Sequence, residues 1–182
     1  MNTKKITTLS LMAAISVLLV LLIRFPIFPA APFLEYDPAD IPILITAFAF
    51  GPAEGLLLCA VVSLVQGITV SAASGVIGIV MHILSTGAFV LVAGSMYRRE
   101  KTRKGALLSL VAGSLVMAGV MCILNLILTP IFMNTDFSVV KMMILPTILP
   151  FNLLKAGLNS AVTFVLYKKI SNYLKEHQVL EA

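Results

Sequence analysis

Charged residues are scarce in this sequence. Only 12% of its 182 residues are charged, whereas 59% are hydrophobic and the mean hydropathy is +1.04. A soluble domain would carry about a quarter of its residues as charged side chains. The composition therefore excludes a soluble domain and predicts an all-α membrane protein, with one domain over residues 1–182.

Cysteines are few, and a nucleotide-binding motif is missing. Cys59 and Cys122 lie in apolar runs without a histidine or second cysteine at ligand spacing, which excludes a disulfide framework and a zinc site. No Gly-x-x-x-x-Gly-Lys-Ser/Thr phosphate loop occurs, so ATP hydrolysis by this chain alone is excluded. We expect no metal and no enzymatic activity, and energy for any transport must come from partners.

Six apolar runs are long enough to be considered as membrane spans, each of which needs about 20 apolar residues. They cover residues 6–24, 38–50, 53–69, 74–97, 105–128 and 146–170. The second run is short for a full crossing, and Pro52 suits the first turn of the helix that follows it. We predict a six-helix transmembrane bundle.

Ten of the 13 basic residues fall on one side of this predicted bundle, with Arg24 and Lys141 opposite and Lys155 within it. The ten are Lys4, Lys5, Arg98, Arg99, Lys101, Arg103, Lys104, Lys168, Lys169 and Lys175. By the positive-inside rule that side is cytoplasmic. We therefore predict a multi-pass plasma-membrane protein with both termini in the cytoplasm. The net charge of +5 reflects this topology in the lipid bilayer and does not indicate a nucleic-acid partner.

The stretch between the first two spans, residues 25–40, is called the first loop. It contains four prolines and four aromatic residues, which make a loop stiff and apolar. Such a segment is unlike a solvated tail, and we expect it to form an external lid or plug. Asp37 precedes Pro38 and is expected to be the N-cap of the second helix.

Lys155 lies within the last apolar run, where a charged side chain costs at least a few kcal/mol and therefore indicates a functional site. Asn152, Lys155 and Asn159 are spaced three and four residues apart, which places them on one face of a helix. We predict that this face forms one wall of a polar cavity. Replacing Lys155 by alanine is expected to weaken ligand binding without harming the fold.

Further polar residues are predicted in the outer half of the bundle. They are Gln66, His82 and Asn125. The alternative for Gln66 and His82 is a single interhelical hydrogen bond each. An outward-facing pocket with two asparagine amides, a lysine and nearby aromatic side chains suits a flat, polar-edged small molecule.

Two motifs resemble a known family. The stretch Pro-Phe-Leu-Glu-Tyr-Asp-Pro-Ala-Asp-Ile-Pro at residues 32–42 and the pattern Asn152-Leu153-Leu154-Lys155 are similar to riboflavin-specific S components, the substrate-binding subunits of bacterial energy-coupling-factor (ECF) vitamin transporters. The resemblance implies an ABC-transporter subunit that captures riboflavin, or its phosphorylated form FMN, and has no cofactor of its own. It also implies a scaffold transmembrane subunit and two cytoplasmic ATPases as partners.

The resemblance also implies particular site residues. The flavin would contact Phe33, Leu34, Glu35, Tyr36, Asn125, Asn152 and Lys155. The scaffold subunit would dock on small residues of the first helix, here Ser10 and Ala14 in place of the family's Ala-x-x-x-Ala pattern. Internal packing is the alternative for this small-residue pair.

Two other functions were considered. An S component for a different vitamin or precursor would share the fold, but the Asn152 and Lys155 pair with the first-loop motif favours a flavin. An intramembrane serine protease would use Ser74 and His82. These two residues are eight positions apart, about 12 Å along a helix, which is too far for a nucleophile and its base.

Overall fold

The computed structural model describes residues 3–29, 31–177 and 179, and most of them are helical. The helices are α1 (Thr3–Leu22), α2 (Asp40–Ala49), α3 (Pro52–Ile68), α4 (Gly75–Arg99), α5 (Arg103–Met133), α6 (Phe137–Met143) and α7 (Leu149–Glu176). A 3-10 turn at Ala72–Ser74 precedes α4, and a π-helical turn at Ile144–Ile148 joins α6 to α7. Two short antiparallel strands, β1 (Phe25–Pro26) and β2 (Glu35–Tyr36), pair within the first loop.

Four helical stretches of the described chain are long and apolar enough to cross a membrane. They are Thr3–Leu22, Ala72–Arg99, Arg103–Met133 and Phe137–Glu176. Helices α2 and α3 are also apolar but have only 10 and 17 residues. The predicted all-α membrane fold is therefore confirmed, whereas six complete crossings stay a prediction.

The short helix α2 lies at the centre of the bundle. Nine of its ten residues are buried, and it packs against α1, α3, α4 and α7. A helix that is apolar on all sides is expected to be surrounded by protein or lipid, and here protein surrounds it. Because the first loop leads directly into α2, this packing fixes the end of the loop inside the bundle.

Helices α4 and α5 approach each other closely at Gly113. A Cβ atom on this glycine would lie 2.4 Å from Phe89 Cδ2 and 3.1 Å from Ala93 Cβ, and Phe89 is fully buried. We predict that Gly113→Ala lowers the free energy of unfolding by about 1–3 kcal/mol, because the added methyl overpacks the interface. Thermal denaturation of the detergent-purified protein would measure this.

Gly119 on the same helix is the matched control for this prediction. A Cβ atom there meets nothing within 4 Å. Gly119→Ala should leave the melting temperature unchanged or raise it slightly, because alanine favours the helical backbone. Equal melting temperatures for the two alanine variants would contradict the close packing at Gly113.

The first loop folds back onto one end of the bundle, here called the loop end. Arg24 Nε donates to Glu35 Oε2 at 2.6 Å, and Arg24 also contacts the carbonyl oxygen of Val70. A second apolar cluster, separate from the bundle core, joins the loop to α6, the π-helical turn and α7. Its buried members are Ala31, Leu34, Val140, Ile148 and Phe151. The loop is therefore a packed part of the fold.

The predicted N-cap role of Asp37 is wrong. Helix α2 begins three residues later, with Ala39 at its N-cap position. The Ala39 N–H donates to Asp37 Oδ1 at 3.1 Å, which closes a local turn before the helix. The other carboxylate oxygen of Asp37 lies 2.6 Å from Lys155 Nζ. A buried ammonium needs a counter-charge, and the turn before α2 brings Asp37 to it.

Candidate ligand-binding site

A cavity of about 180 Å³ lies at the loop end. The first loop and helices α3, α4, α5 and α7 surround it. Its lining includes Phe33, Leu34, Glu35, Asn125, Asn152 and Lys155. Six of the seven residues that the sequence analysis assigned to a ligand are therefore brought together here, from three separate parts of the chain.

Tyr36, the seventh residue, lies outside the cavity lining. Its hydroxyl donates to Asn159 Oδ1 at 3.1 Å, and its ring lies 5.5 Å from the ring of Phe25, centroid to centroid. Burial, together with the neighbouring Asp37 carboxylate, raises the pKa of Tyr36. The Tyr36 phenol therefore remains protonated. It supports the cavity wall indirectly, through its hydrogen bond to Asn159 on α7.

Lys155 is almost fully buried and forms an ion pair. Its side chain contacts Asp37 Oδ2 at 2.6 Å, and both residues line the cavity. An ammonium group has three N–H donors. Within the described residues Asp37 is its one hydrogen-bond partner, so the remaining donors are available to a ligand.

The polar face of α7 divides into two parts. Asn152 Nδ2 donates to the Ile148 carbonyl at 2.8 Å, whereas Asn152 Oδ1 is buried without a hydrogen-bond partner among the described residues. Asn159 lies two turns further along and donates to the Asp37 carbonyl at 3.2 Å and to Asp40 Oδ2 at 3.1 Å. Asn152 therefore offers an acceptor to the cavity, while Asn159 holds the first loop in place.

Asn125 is largely occupied by its own helix. Its Nδ2 donates to the Met121 carbonyl at 2.8 Å, and its Oδ1 accepts from Thr129 Oγ1 at 2.8 Å. An amide side chain can make up to four hydrogen bonds, so one donor and one lone pair remain. Asn125 can contribute a contact from α5, but it is less available than Asn152.

Asp40 is a structural residue that the sequence analysis did not single out. It is fully buried, and its carboxylate accepts from Thr86 Oγ1 at 2.8 Å and from Asn159 Nδ2 at 3.1 Å. His82 Nε2 lies 3.3 Å from the same carboxylate. Asp40 thereby connects α2 to α4 and α7. In the sequence, the feature that could have indicated this role is the position of Asp40, an acidic residue at the start of a strongly apolar segment.

His82 and Gln66 differ in their hydrogen bonding. His82 Nδ1 lies 2.6 Å from Ser63 Oγ, and the Ser63 hydroxyl donates to the Cys59 carbonyl at 2.6 Å. Ser63 lies on α3 and His82 on α4, so this contact joins the two helices. His82 therefore makes the single interhelical hydrogen bond that was the alternative to a ligand contact. Its partner is Ser63, and not Ser74, the serine that a protease would have used. Gln66 Nε2 is buried without a partner in the described part of the chain.

The site is suited to recognition by hydrogen bonds. One cavity of the apolar helical bundle is lined by an ion-paired lysine, by an asparagine whose oxygen has no partner among the described residues, and by several apolar side chains. Across residues 3–29, 31–177 and 179, no group of three or more His, Cys, Asp or Glu residues could hold a metal ion. Fold and site together define a membrane-embedded binding protein for a small molecule.

Comparison with known proteins gives the family. The chain belongs to the ECF transporter substrate-specific components, whose family profile matches residues 4–167. It is 32% identical to the riboflavin transporter RibU of Staphylococcus aureus (strain TCH60), over 94% of this chain and 93% of that protein. It is 28% identical to the riboflavin transporter FmnP of Bacillus subtilis (strain 168), over 98% of this chain and 97% of that protein.

The fold agrees with this family. A solved structure described as "Structure and mechanism of the S component of a bacterial ECF transporter" matches with a TM-score of 0.82 and 30% sequence identity. The match covers 96% of this chain and 99% of the other. The family resemblance inferred from the first-loop motif and from Asn152 and Lys155 is therefore confirmed.

Proposed function

We propose that this chain is the riboflavin-binding subunit of an ECF transporter and that the cavity at the loop end holds the flavin. One observation carries the proposal: the Lys155 ammonium and the unpartnered Asn152 Oδ1 line the same cavity. The imide edge of a flavin ring presents carbonyl acceptors on either side of an N–H donor. A lysine donor beside an amide acceptor is complementary to that edge.

The remainder of the lining suits an aromatic ring system. Phe33 and Leu34 of the first loop and Phe151 of α7 line the cavity and can cover the faces of a flat ring. The two riboflavin transporters from Staphylococcus aureus and Bacillus subtilis match the chain over almost its whole length. These facts favour riboflavin over another vitamin. FMN is a further candidate ligand because it contains the same ring system.

The proposal includes a topology. The chain is one domain that crosses the plasma membrane six times, with both termini in the cytoplasm. Lys4 Nζ contacts the His177 carbonyl at 3.4 Å, and Lys5 pairs with Glu54 at 2.7 Å. These contacts support a common location of the start of α1, the start of α3 and the end of α7. The positive-inside rule makes that end cytoplasmic and the loop end external.

The proposal also includes partners. We infer ATPase subunits, because this sequence contains no phosphate-binding loop, and a scaffold membrane subunit from membership of the ECF family. Ser10 and Ala14 are exposed on α1, whereas the side of α1 that packs on the bundle contains Leu9, Met12, Ser16 and Val20. This exposure favours an intermolecular contact over internal packing for the small-residue pair. We assign scaffold docking to Ser10 and Ala14.

A titration tests the ligand assignment. The detergent-purified protein is first checked for a flavin absorbance spectrum, and flavin-free protein is then titrated with riboflavin while flavin fluorescence is recorded. We expect stoichiometric quenching that excess thiamine or biotin does not reverse, and FMN is compared in the same assay. A folded protein that leaves riboflavin fluorescence unchanged would overturn the assignment and favour an S component for another vitamin.

A further inference from the structure

A second polar wall of the cavity lies on α3, on the turn before α4 and on α4 itself. Ser63, Gln66, Ser71, Ser74 and Ser85 all line the cavity from this side. Helix α3 packs on α1, α2 and α4, whereas α7 packs on α2 and α5. The serine-rich wall and the wall with Asn152 and Lys155 are therefore on different sides of the cavity.

Gln66 is the most informative residue of this second wall. Its side chain is only 6% exposed, and its Nε2 has no hydrogen-bond partner within the described residues. The backbone carbonyl oxygen of Gln66 accepts from the backbone N–H groups of Ser71 and Thr69, at 2.8 and 3.2 Å. These hydrogen bonds fix the end of α3. A buried amide donor without a partner is destabilising, and a ligand oxygen that accepted from it would remove this penalty.

The serines around Gln66 offer both acceptors and donors. The hydroxyls of Ser63 and Ser85 donate to carbonyls of their own helices, at 2.6 and 2.7 Å. The Ser85 oxygen keeps its lone pairs for a ligand, whereas the Ser63 oxygen also contacts His82 Nδ1 at 2.6 Å. The hydroxyls of Ser71 and Ser74 make no hydrogen bond to any described residue, so each can donate or accept. A polyhydroxylated chain is the ligand group that fits such a wall, because every hydroxyl is at once a donor and an acceptor.

We propose that Gln66 and the serines beside it form a polyol subsite, which binds the hydroxylated side chain of the ligand while Asn152 and Lys155 bind its ring. This inference rests on the proposed function. Gln66 donates from its Nε2 to an oxygen of the polyol chain. The two walls together select a ligand that has both a polar-edged ring and a hydroxylated chain.

A comparison of two flavins isolates the polyol contact. Riboflavin and lumiflavin share the ring system, but lumiflavin has a methyl group in place of the ribityl chain. We expect the wild type to bind riboflavin more tightly than lumiflavin. Gln66→Leu, which keeps the size and removes the amide, should weaken riboflavin binding about three- to tenfold, the value of one hydrogen bond. Its lumiflavin affinity should remain unchanged or improve.

Two further variants complete the experiment. Ser71→Ala/Ser74→Ala removes hydroxyls from the partly exposed turn, so it tests the subsite even if Gln66→Leu does not fold. Ser138→Ala is the control, because this serine is exposed on α6 outside the cavity lining. We expect the double variant to lower the ratio of riboflavin to lumiflavin affinity and the control to leave that ratio unchanged.

The possible failures are distinguishable. A folded wild type that binds neither flavin overturns the riboflavin assignment and the polyol subsite with it. A wild type that binds riboflavin, combined with variants that change the two affinities by the same factor or not at all, overturns only the polyol subsite. In that case the serine-rich wall packs against the ligand without recognising its hydroxyls.

Discussion

Replacing Lys155 by methionine is expected to weaken riboflavin binding by about tenfold to a hundredfold. The ammonium is nearly buried, and hydrogen bonds from a charged donor contribute about 1.5–3 kcal/mol, with a tenfold change in Kd for each 1.4 kcal/mol. Methionine keeps most of the apolar stem, so the change isolates the charge. Equilibrium titration of flavin fluorescence with the purified variant measures the effect.

The ion pair with Asp37 changes how this variant should be designed. The sequence alone suggested that Lys155 could be removed without harm to the fold, yet its loss leaves the Asp37 carboxylate, 15% exposed, without its counter-charge. Removing one partner of a buried pair is strongly destabilising. The double variant Asp37→Asn/Lys155→Met should therefore melt at a higher temperature than Lys155→Met, while riboflavin binding stays weak.

Lys141→Met is the control for Lys155→Met, because it also replaces a lysine charge by methionine but at an exposed position. Lys141 is exposed on α6, so its removal should change neither the affinity nor the melting temperature. Riboflavin affinity of the Asp37→Asn/Lys155→Met double variant equal to that of the wild type would show that the ammonium does not touch the ligand. The assignment of the flavin edge to α7 would then have to be abandoned.

Asp40→Ala is expected to have the largest effect on stability, about 2–6 kcal/mol, because it leaves two buried donors without an acceptor at about 1–3 kcal/mol each. The carboxylate is fully buried and accepts hydrogen bonds from Thr86 and Asn159, with His82 Nε2 at 3.3 Å. Removal of the carboxylate leaves Thr86 and Asn159 without their acceptor. Thermal denaturation in detergent, followed by circular dichroism, measures the loss.

Asp136→Ala is the matched control for Asp40→Ala, because Asp136 is exposed before α6 and makes no side-chain cap hydrogen bond. Its melting temperature should equal that of the wild type. The melting temperature of Asp40→Asn should lie between those of the two alanine variants, since an amide oxygen still accepts from Thr86. If the Asp40→Ala and Asp136→Ala variants had the same melting temperature, the buried hydrogen-bond network around Asp40 would not stabilise the bundle.

The two aspartates have a common consequence for the binding site. Asp37 and Asp40 lie three residues apart, and both contact α7, through Lys155 and Asn159. The end of the first loop, the start of α2 and the polar face of α7 are therefore fixed to one another. A side chain that must meet a flat ligand edge needs this support, because small displacements weaken hydrogen bonds steeply.

Local chemistry made several features predictable. Long apolar runs specify membrane helices because lipid offers no hydrogen-bond partners to other backbone forms. Helical periodicity places Asn152, Lys155 and Asn159 on one face. The two short strands were not predicted, because prolines argue against strand pairing. Here Pro26 pairs with Glu35 in a ribbon of only two strands, beside the segment that connects them. The N-cap prediction for Asp37 failed because a distant lysine is its partner.

The sequence by itself determined the membrane class, the helical segments and the common helix face of Asn152 and Lys155, since each depends on the hydropathy and spacing of neighbouring residues. Only the tertiary structure decided that Asp37 neutralises Lys155, 118 positions away. It also decided that the buried Asp40 carboxylate joins α2 to α4 and α7, and that Gln66 Nε2 has no hydrogen-bond partner among the described residues. Hydrogen bonds and ion pairs between distant residues depend on how the helices pack, and no local pattern specifies that packing.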